Sequence, residues 1–286
     1  MTTQFLHLSP ELARRIEMAE ARAAVEGAET FNRLRPGGEA AVERIAGGFA
    51  IYCGANSPIT QAVGMGLEGP MNEEDFDRLE DFYEERHEPV RVEVCPLADR
   101  SMFEHFGKRG YRVAEFSNVM ALPLGREEGA PNWPASPAEV DIEKLGLDQV
   151  DLWTATVAQG FAEHYPVIKE ILEVMKMFAM SPSTECYLAR VGGKVAGGAT
   201  LAIRNGVAGL FGASTLPEFR NRGVQTAAFN LPNDERVREK KGSKKVFLKN
   251  IMEAKFSKSL VPIAQRVLGL ARSEQVLVAH RDDRPP

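Results

Sequence analysis

Apolar and polar positions along this chain switch between a helical and a two-residue period, and the switches mark out its elements. Ser9-Pro10-Glu11 opens a helix, with serine as cap and proline in the first turn; Leu12, Ile16, Ala19 and Ala23 continue it at helical spacing up to Arg35-Pro36-Gly37-Gly38. Residues 48–53 read as a strand and 59–67 as a second apolar run closed by Gly69-Pro70. Asn72 caps an acidic helix in which Phe76, Leu79, Phe82 and Tyr83 recur at three- and four-residue steps. Residues 89–94 alternate as a half-buried strand does, 99–110 form a short helix ended by glycine, and 111–122 return as a strand.

The order then begins again. Residues 123–137 hold Gly125, Gly129, Pro131, Pro134 and Pro137, the composition of a linker, so the expected domains are 1–122 and 138–286. Residues 147–161 and 166–180 read as helices, the second with Ile168, Ile171, Leu172 and Met175 on one face. Residues 184–191 form a strand, Gly192-Gly193 turns it tightly into 194–203, and Arg204-Asn205-Gly206 turns the chain once more into a strand over 206–214. The two halves follow one plan: an α/β (α+β) protein built from two mixed-sheet domains in tandem.

Length and composition fit that plan, since 286 residues exceed one usual domain and 44% apolar content can fill real cores. No 18-residue apolar run is present, and Glu11, Arg14, Arg15 and Glu17 stand where a targeting core would lie, so a cytoplasmic protein with no membrane span is expected. Three distant cysteines and five scattered histidines support neither a zinc site nor a disulfide framework, and no metal is expected. The net charge of -5 argues against nucleic acid, although residues 230–286 carry 13 Lys+Arg against 7 Asp+Glu. The cluster Lys240-Lys241 and Lys244-Lys245 has only Phe247 as an aromatic neighbour and reads as a solvated surface.

Chemistry concentrates in one stretch, Thr215-Leu216-Pro217-Glu218-Phe219-Arg220-Asn221-Arg222-Gly223-Val224-Gln225-Thr226-Ala227. It joins a strand to a helix start through two arginines and a glycine. Such a turn leaves backbone N–H groups without intrahelical partners and aims them at one point, which makes an anion site. The helix dipole adds about half a positive charge there, so phosphate or pyrophosphate is the expected guest. A P-loop is excluded by the absence of G-x-x-x-x-G-K-[ST], and no G-x-G-x-x-G follows a first strand.

The strand, this turn and the following helix resemble motif A of the GNAT superfamily of acyl-CoA-dependent N-acyltransferases. That pattern runs Arg or Gln, two residues, Gly, one residue, Gly or Ala; Arg220 and Gly223 match it, and Gln225 replaces the small third residue. The resemblance covers about residues 137–230 and implies a tandem GNAT-like protein that uses acetyl-CoA to acetylate the amine of a small-molecule acceptor. It implies that Ser214, Thr215, Leu216, Arg220, Asn221, Arg222, Gly223, Val224, Gln225 and Thr226 hold the cofactor, with residues 211–215 splayed from the next strand to bond the pantetheine arm. In the first half the corresponding turn carries Glu68, Glu73, Glu74 and Asp75, which would repel pyrophosphate, so residues 45–122 read as a degenerate copy.

The family's frequent catalytic tyrosine is missing, because no tyrosine follows Tyr187. The loop of Glu163, His164 and Tyr165 borders the acceptor site in this fold; Glu163 or His164 is the candidate base and Tyr165 a candidate acceptor contact. Glu185 and Tyr187 share one strand face and are candidates of the same kind. The alternative is a non-catalytic acyl-CoA-binding or regulatory protein. Residues 230–286 open on Pro232, which a helix interior does not accommodate, and hold seven lysines. Two readings stay open for them: a completed fold with strands near 245–248 and 275–278 and a helix over 259–268, or a tail foreign to the ancestral frame.

Overall fold

A computed structural model describes residues 9–124, 135–162, 167–231, 246–253 and 273–281. In chain order the elements are α1 (Pro10–Leu34), β1 (Ala41–Ile45), β2 (Gly48–Tyr52), β3 (Gln61–Val63), α2 (Glu73–Glu84), β4 (Val90–Val94), α3 (Arg100–Arg109) and β5 (Arg112–Leu124). They are followed by β6 (Val140–Lys144), α4 (Val150–Gly160), α5 (Lys169–Met180), β7 (Thr184–Val191), β8 (Lys194–Arg204), β9 (Val207–Thr215), α6 (Val224–Phe229), β10 (Val246–Glu253) and β11 (Ser273–Arg281). They form two compact units: one takes the described residues through Val119, residues 251–253 at the end of β10, and β11; the other takes the described residues from Met120 to Asn250.

In the first unit the strands follow the order β1-β2-β3-β4-β11. The β1–β2 and β2–β3 pairs are antiparallel, β3 and β4 are parallel at Ala62 and Val92 with α2 as the crossover, and β11 lies antiparallel to β4 with Leu277 opposite Val94. The final described strand therefore joins the sheet of the N-terminal unit. Alternation explains the layers. Ala50, Tyr52, Ala62, Val92 and Val94 face α2 and α3, whose Phe76, Leu79, Phe82, Tyr83, Met102 and Phe106 close one core. Ile51 and Cys53 face α1 through Ala24, Val25 and Ala28. Each large side chain so covered contributes about 1.5–3 kcal/mol of burial. Ser9 caps α1 as its sequence requires, its Oγ accepting from Leu12 N at 3.1 Å.

The second unit repeats this order as β6-β7-β8-β9-β10, antiparallel from β6 through β9 and parallel between β9 and β10, with α6 as the crossover. Trp153 of α4 is fully buried with Val157, Cys186 and Leu188, and its indole N–H donates to the Tyr187 carbonyl at 3.0 Å. The opposite face of the sheet, with Tyr187, Leu201 and Leu210, is covered by Ala228 of α6. Both units thus place helices on two faces of a mixed sheet, the α/β architecture expected.

Two strands and one burial state differ from the sequence pattern. β1 and β6, absent from the expected elements, are short outer strands beside glycine- or proline-rich turns; Val-Asp-Ile-Glu-Lys and Ala-Val-Glu-Arg-Ile carry too few apolar residues to stand out. β4 was expected to wet one face through its alternating Arg91 and Glu93. Instead Glu93 is only 6% exposed, because it lies on the face that α1 covers.

Candidate functional site

The site is built where β9 ends. Beside β8 it carries a bulge: Gly198 lies opposite Ser214 and Thr200 opposite Phe211, leaving Gly212 and Ala213 to face Ala199, with Gly212 at φ 56°. On its other side β9 pairs with β10 only over Val207–Gly209 against Phe247–Lys249. From Leu210 to Thr215 the backbone edge toward β10 has no strand partner among the described residues. The parting of two parallel strands leaves main-chain donors and acceptors for an extended guest.

Beyond Thr215 the chain is pinned and then opened. Leu216 N donates to the Ala196 carbonyl at 2.9 Å, and a single 3-10 turn over Pro217–Phe219 delivers Arg220. Asn221 and Gly223 both take positive φ, 62° and 79°. A Cβ on residue 223 would also lie 2.3 Å from Pro137 Cγ, so glycine is required for conformation and for space. The first hydrogen bond of α6 runs from Ala227 N to Gly223 O, and the amides of Asn221, Arg222, Gly223, Val224, Gln225 and Thr226 have no acceptor among the described residues. They form a run of open donors at the start of α6.

The side chains extend that donor set. Arg220, partly buried, bridges the end of β9 and the end of α4: its Nε lies 3.5 Å from the Thr215 carbonyl and its Nη2 3.4 Å from that of Gly160. Arg222 pairs with Glu139 at 2.5 Å, both half-exposed, an ion pair of about 0–1 kcal/mol that an anion can displace. Gln225, in the place of the pattern's small residue, donates from Nε2 to the Ala213 carbonyl at 3.2 Å and so ties α6 to the bulge. Ser214 Oγ donates to the Val157 carbonyl at 3.0 Å, and a Cβ on Gly160 would lie 2.4 Å from that Oγ. α4 therefore ends tightly against β9. Thr215 Oγ1 is buried with no hydrogen-bond partner among the described residues. An orphaned hydroxyl, an unpaired strand edge and six open amides fit a group that brings both hydrogen-bonding and anionic parts, as coenzyme A does.

The other sequence candidates divide. Glu163, His164 and Tyr165 lie outside the described residues. Tyr187 O–H donates to Glu185 Oε2 at 2.8 Å, and Lys144 Nζ donates to the other oxygen, also at 2.8 Å. Tyr187 further lines, with Ser214, Val224 and Gln225, a packing gap under α6 too small for a water molecule. Cys186 is a core thiol, its pKa pushed up to about 12 by burial, and offers no nucleophile. Arg220's bridge to α4 and the bulge at Gly212 are features that sequence reasoning did not identify; the glycine of Phe211-Gly212-Ala213 was the local sign of the second.

Comparison with known proteins places this geometry. No protein-family profile matches the chain. Among solved structures it is similar to a GCN5-related N-acetyltransferase from Kribbella flavida, with a TM-score of 0.65, 14% identity and 96% of each chain covered. It is also similar to a tandem GNAT protein from the clavulanic acid biosynthesis pathway, with a TM-score of 0.56, 15% identity and 99% of each chain covered. A GCN5-related N-acetyltransferase from Sphaerobacter thermophilus gives a TM-score of 0.51 at 16% identity, over 97% of this chain and 95% of that one. The fold is the GNAT fold in tandem. A stretch of 44 residues is 52% identical to Nudix hydrolase 3 of Arabidopsis thaliana, covering 15% of this chain and 6% of that protein. The chain thus spans about one-sixteenth of that relative's length. Among the described residues no helix is long and apolar enough to cross a membrane.

Proposed function

We propose that this protein is an acyl-CoA-dependent N-acyltransferase that binds acetyl-CoA in its second unit and acetylates the amine of a small molecule. The observation that carries the reading is the parting of β9 from β10 directly before a turn whose six amides have no acceptor among the described residues. The open β9 edge takes the pantetheine arm. The amides of residues 221–226, with Arg220 and Arg222, take the pyrophosphate through charge-assisted hydrogen bonds. Backbone N–H groups of β9 near the thioester stabilise the oxyanion that forms when the amine attacks the carbonyl carbon. Glu163 or His164 accepts the ammonium proton, the C–S bond breaks, and the thiolate leaves with a proton from solvent or a side chain. Tyr165, Glu185 and Tyr187 are the proposed acceptor contacts.

Thiol release from acetyl-CoA, followed across a panel of small amines, tests this reading. Amine-dependent release is expected; binding of acetyl-CoA without release on any amine would select a second reading, a non-catalytic acyl-CoA-binding protein. That second reading rests on the absence of any tyrosine after Tyr187 and on the acidic turn of the first half.

A further inference from the structure

Two aromatic rings stand beside the parting of β9 from β10, and their side chains take no part in holding the donor. Gly209, opposite Lys249, is the last β9 residue paired with β10, so Phe211 lies just past the point of separation. Leu210 is buried with Ala228 and Leu231 on the face that α6 covers. Phe211 stands on the other face, opposite Thr200 of β8, whose hydroxyl lies 3.5 Å from the Cys186 thiol in the core beneath α4. Its ring meets that of Phe178 of α5 edge-on, with centroids 4.9 Å apart and planes at 68°. Both side chains are half-buried.

Hydrogen bonds fix the position of Phe178. Its carbonyl accepts from Ser181 N at 3.2 Å and from the Thr184 hydroxyl, which pins the end of α5 to the start of β7. Ile168, Ile171 and Met175 precede it at three- and four-residue steps and so share its face. Ile171 and Met175 are half-buried and Ile168 is exposed, a partly open apolar surface that extends about 15 Å from the ring pair.

This surface bears on what can meet the donor. With its pyrophosphate at residues 221–226, a donor laid along the β9 edge runs back from Thr215, and its acyl end reaches the separation point beside Phe211. Leu210 and its partners fill the α6 side there, which leaves the side of the rings for the amine. Rings and aliphatic chains offer it no hydrogen bond. Binding to them comes from apolar area removed from water, which favours an acceptor with an apolar body and penalises one whose hydroxyls or charges would lose water there. An acetyl methyl covers only a small part of so long a surface, so the surface fits the acceptor and not the acyl group. Resting on the acyltransferase reading above, we propose that Phe178 and Phe211 determine specificity in the acceptor pocket, and that the acceptor is an amine carried on an aromatic or branched aliphatic body.

The test compares 2-phenylethylamine with ethanolamine as acceptors for the full chain, alongside Phe178→Ala and Phe178→Leu, with acetyl-CoA affinity measured by calorimetry in each. In the parent, kcat/KM is expected to favour 2-phenylethylamine at least about tenfold. Phe178→Ala should bring the two amines within about threefold of each other, chiefly through KM for 2-phenylethylamine, and Phe178→Leu should keep most of the preference. Acetyl-CoA affinity should stay within about twofold in both variants, since the rings do not hold the donor. Equal efficiency for the two amines in the parent, or a preference that survives in Phe178→Ala, would overturn the assignment while leaving the donor site standing. A parent that does not bind acetyl-CoA would overturn both. If acetyl-CoA binds and neither amine releases thiol, calorimetry of 2-phenylethylamine into the chain loaded with coenzyme A decides. Saturable binding weakened in Phe178→Ala would uphold the pocket, and no binding would overturn it.

Discussion

The two units solve the same local problem in opposite ways. In each, a parallel pair is joined through a turn and a crossover helix: β3, α2, β4 in the first and β9, α6, β10 in the second. At the start of α2 two donors are consumed internally by a capping box. Asn72 Oδ1 accepts from Asp75 N at 2.9 Å, and Asp75 Oδ2 accepts from Asn72 N at 3.1 Å. The surrounding acids are paired too, Glu73 with Arg109 at 2.5 Å and Glu68 with Arg14 and Arg44 at 3.1 and 3.3 Å. At the start of α6 glycine replaces the capping side chain and the amides stay open. A helix start closed by its own carboxylates has no use for an external anion; one left uncapped beside two arginines does.

Charge reversal should break this contrast most strongly. Arg220→Glu places an acid among the open amides and removes the bridge to the Gly160 and Thr215 carbonyls, so acetyl-CoA affinity should fall at least about 100-fold. Calorimetry on a variant shown to melt cooperatively measures it, and an affinity within twofold of the parent would remove Arg220 from the site. Gln225→Ala cuts only the hydrogen bond to the bulge; at about 1 kcal/mol, a loss of about fivefold in acetyl-CoA affinity is expected in the same titration.

In the first unit the effects should fall on stability alone. Asn72→Ala dismantles the capping box and should cost about 1 kcal/mol in urea unfolding while leaving acetyl-CoA binding unchanged. A change in that binding would mean that the first turn also serves the cofactor. Glu73 offers the smallest effect. Its hydrogen bond from Arg109 holds its carboxyl below the usual glutamate range. Because the folded value is the lower one, the contribution is complete above the unfolded value of about 4.3 and disappears as pH falls through the folded value. Glu73→Gln should therefore flatten the decline of melting temperature below about pH 4.5, and parallel profiles for parent and variant would deny the pair any role.

Much of this contrast was legible in the residues. The strand edges of β7 and β8, the Gly192-Gly193 turn and the Arg220-Asn221-Arg222-Gly223 signal are local, so a single sequence displays them. The acidic character of the first turn was legible for the same reason, although which arginines answer it was not, since Arg14, Arg44 and Arg109 are distant in the chain. Features made by long-range pairing stayed hidden. Glu93 reads as a wet strand position until α1, more than fifty residues upstream, is laid over it. The pairing of β11 with β4 joins segments nearly two hundred residues apart, and no periodicity in 273–281 names its partner. The catalytic candidates Glu163 and His164 stand on sequence alone.

The central claim is that the turn before α6 holds an acyl-CoA pyrophosphate. Titration of acetyl-CoA into the full chain and into Gly223→Asp tests it most directly, because aspartate there meets Pro137, loses the positive φ that glycine supplies and brings a negative charge to the anion site. Saturable binding to the parent that disappears in the variant is predicted. Equal binding to both, or none to the parent, would contradict it.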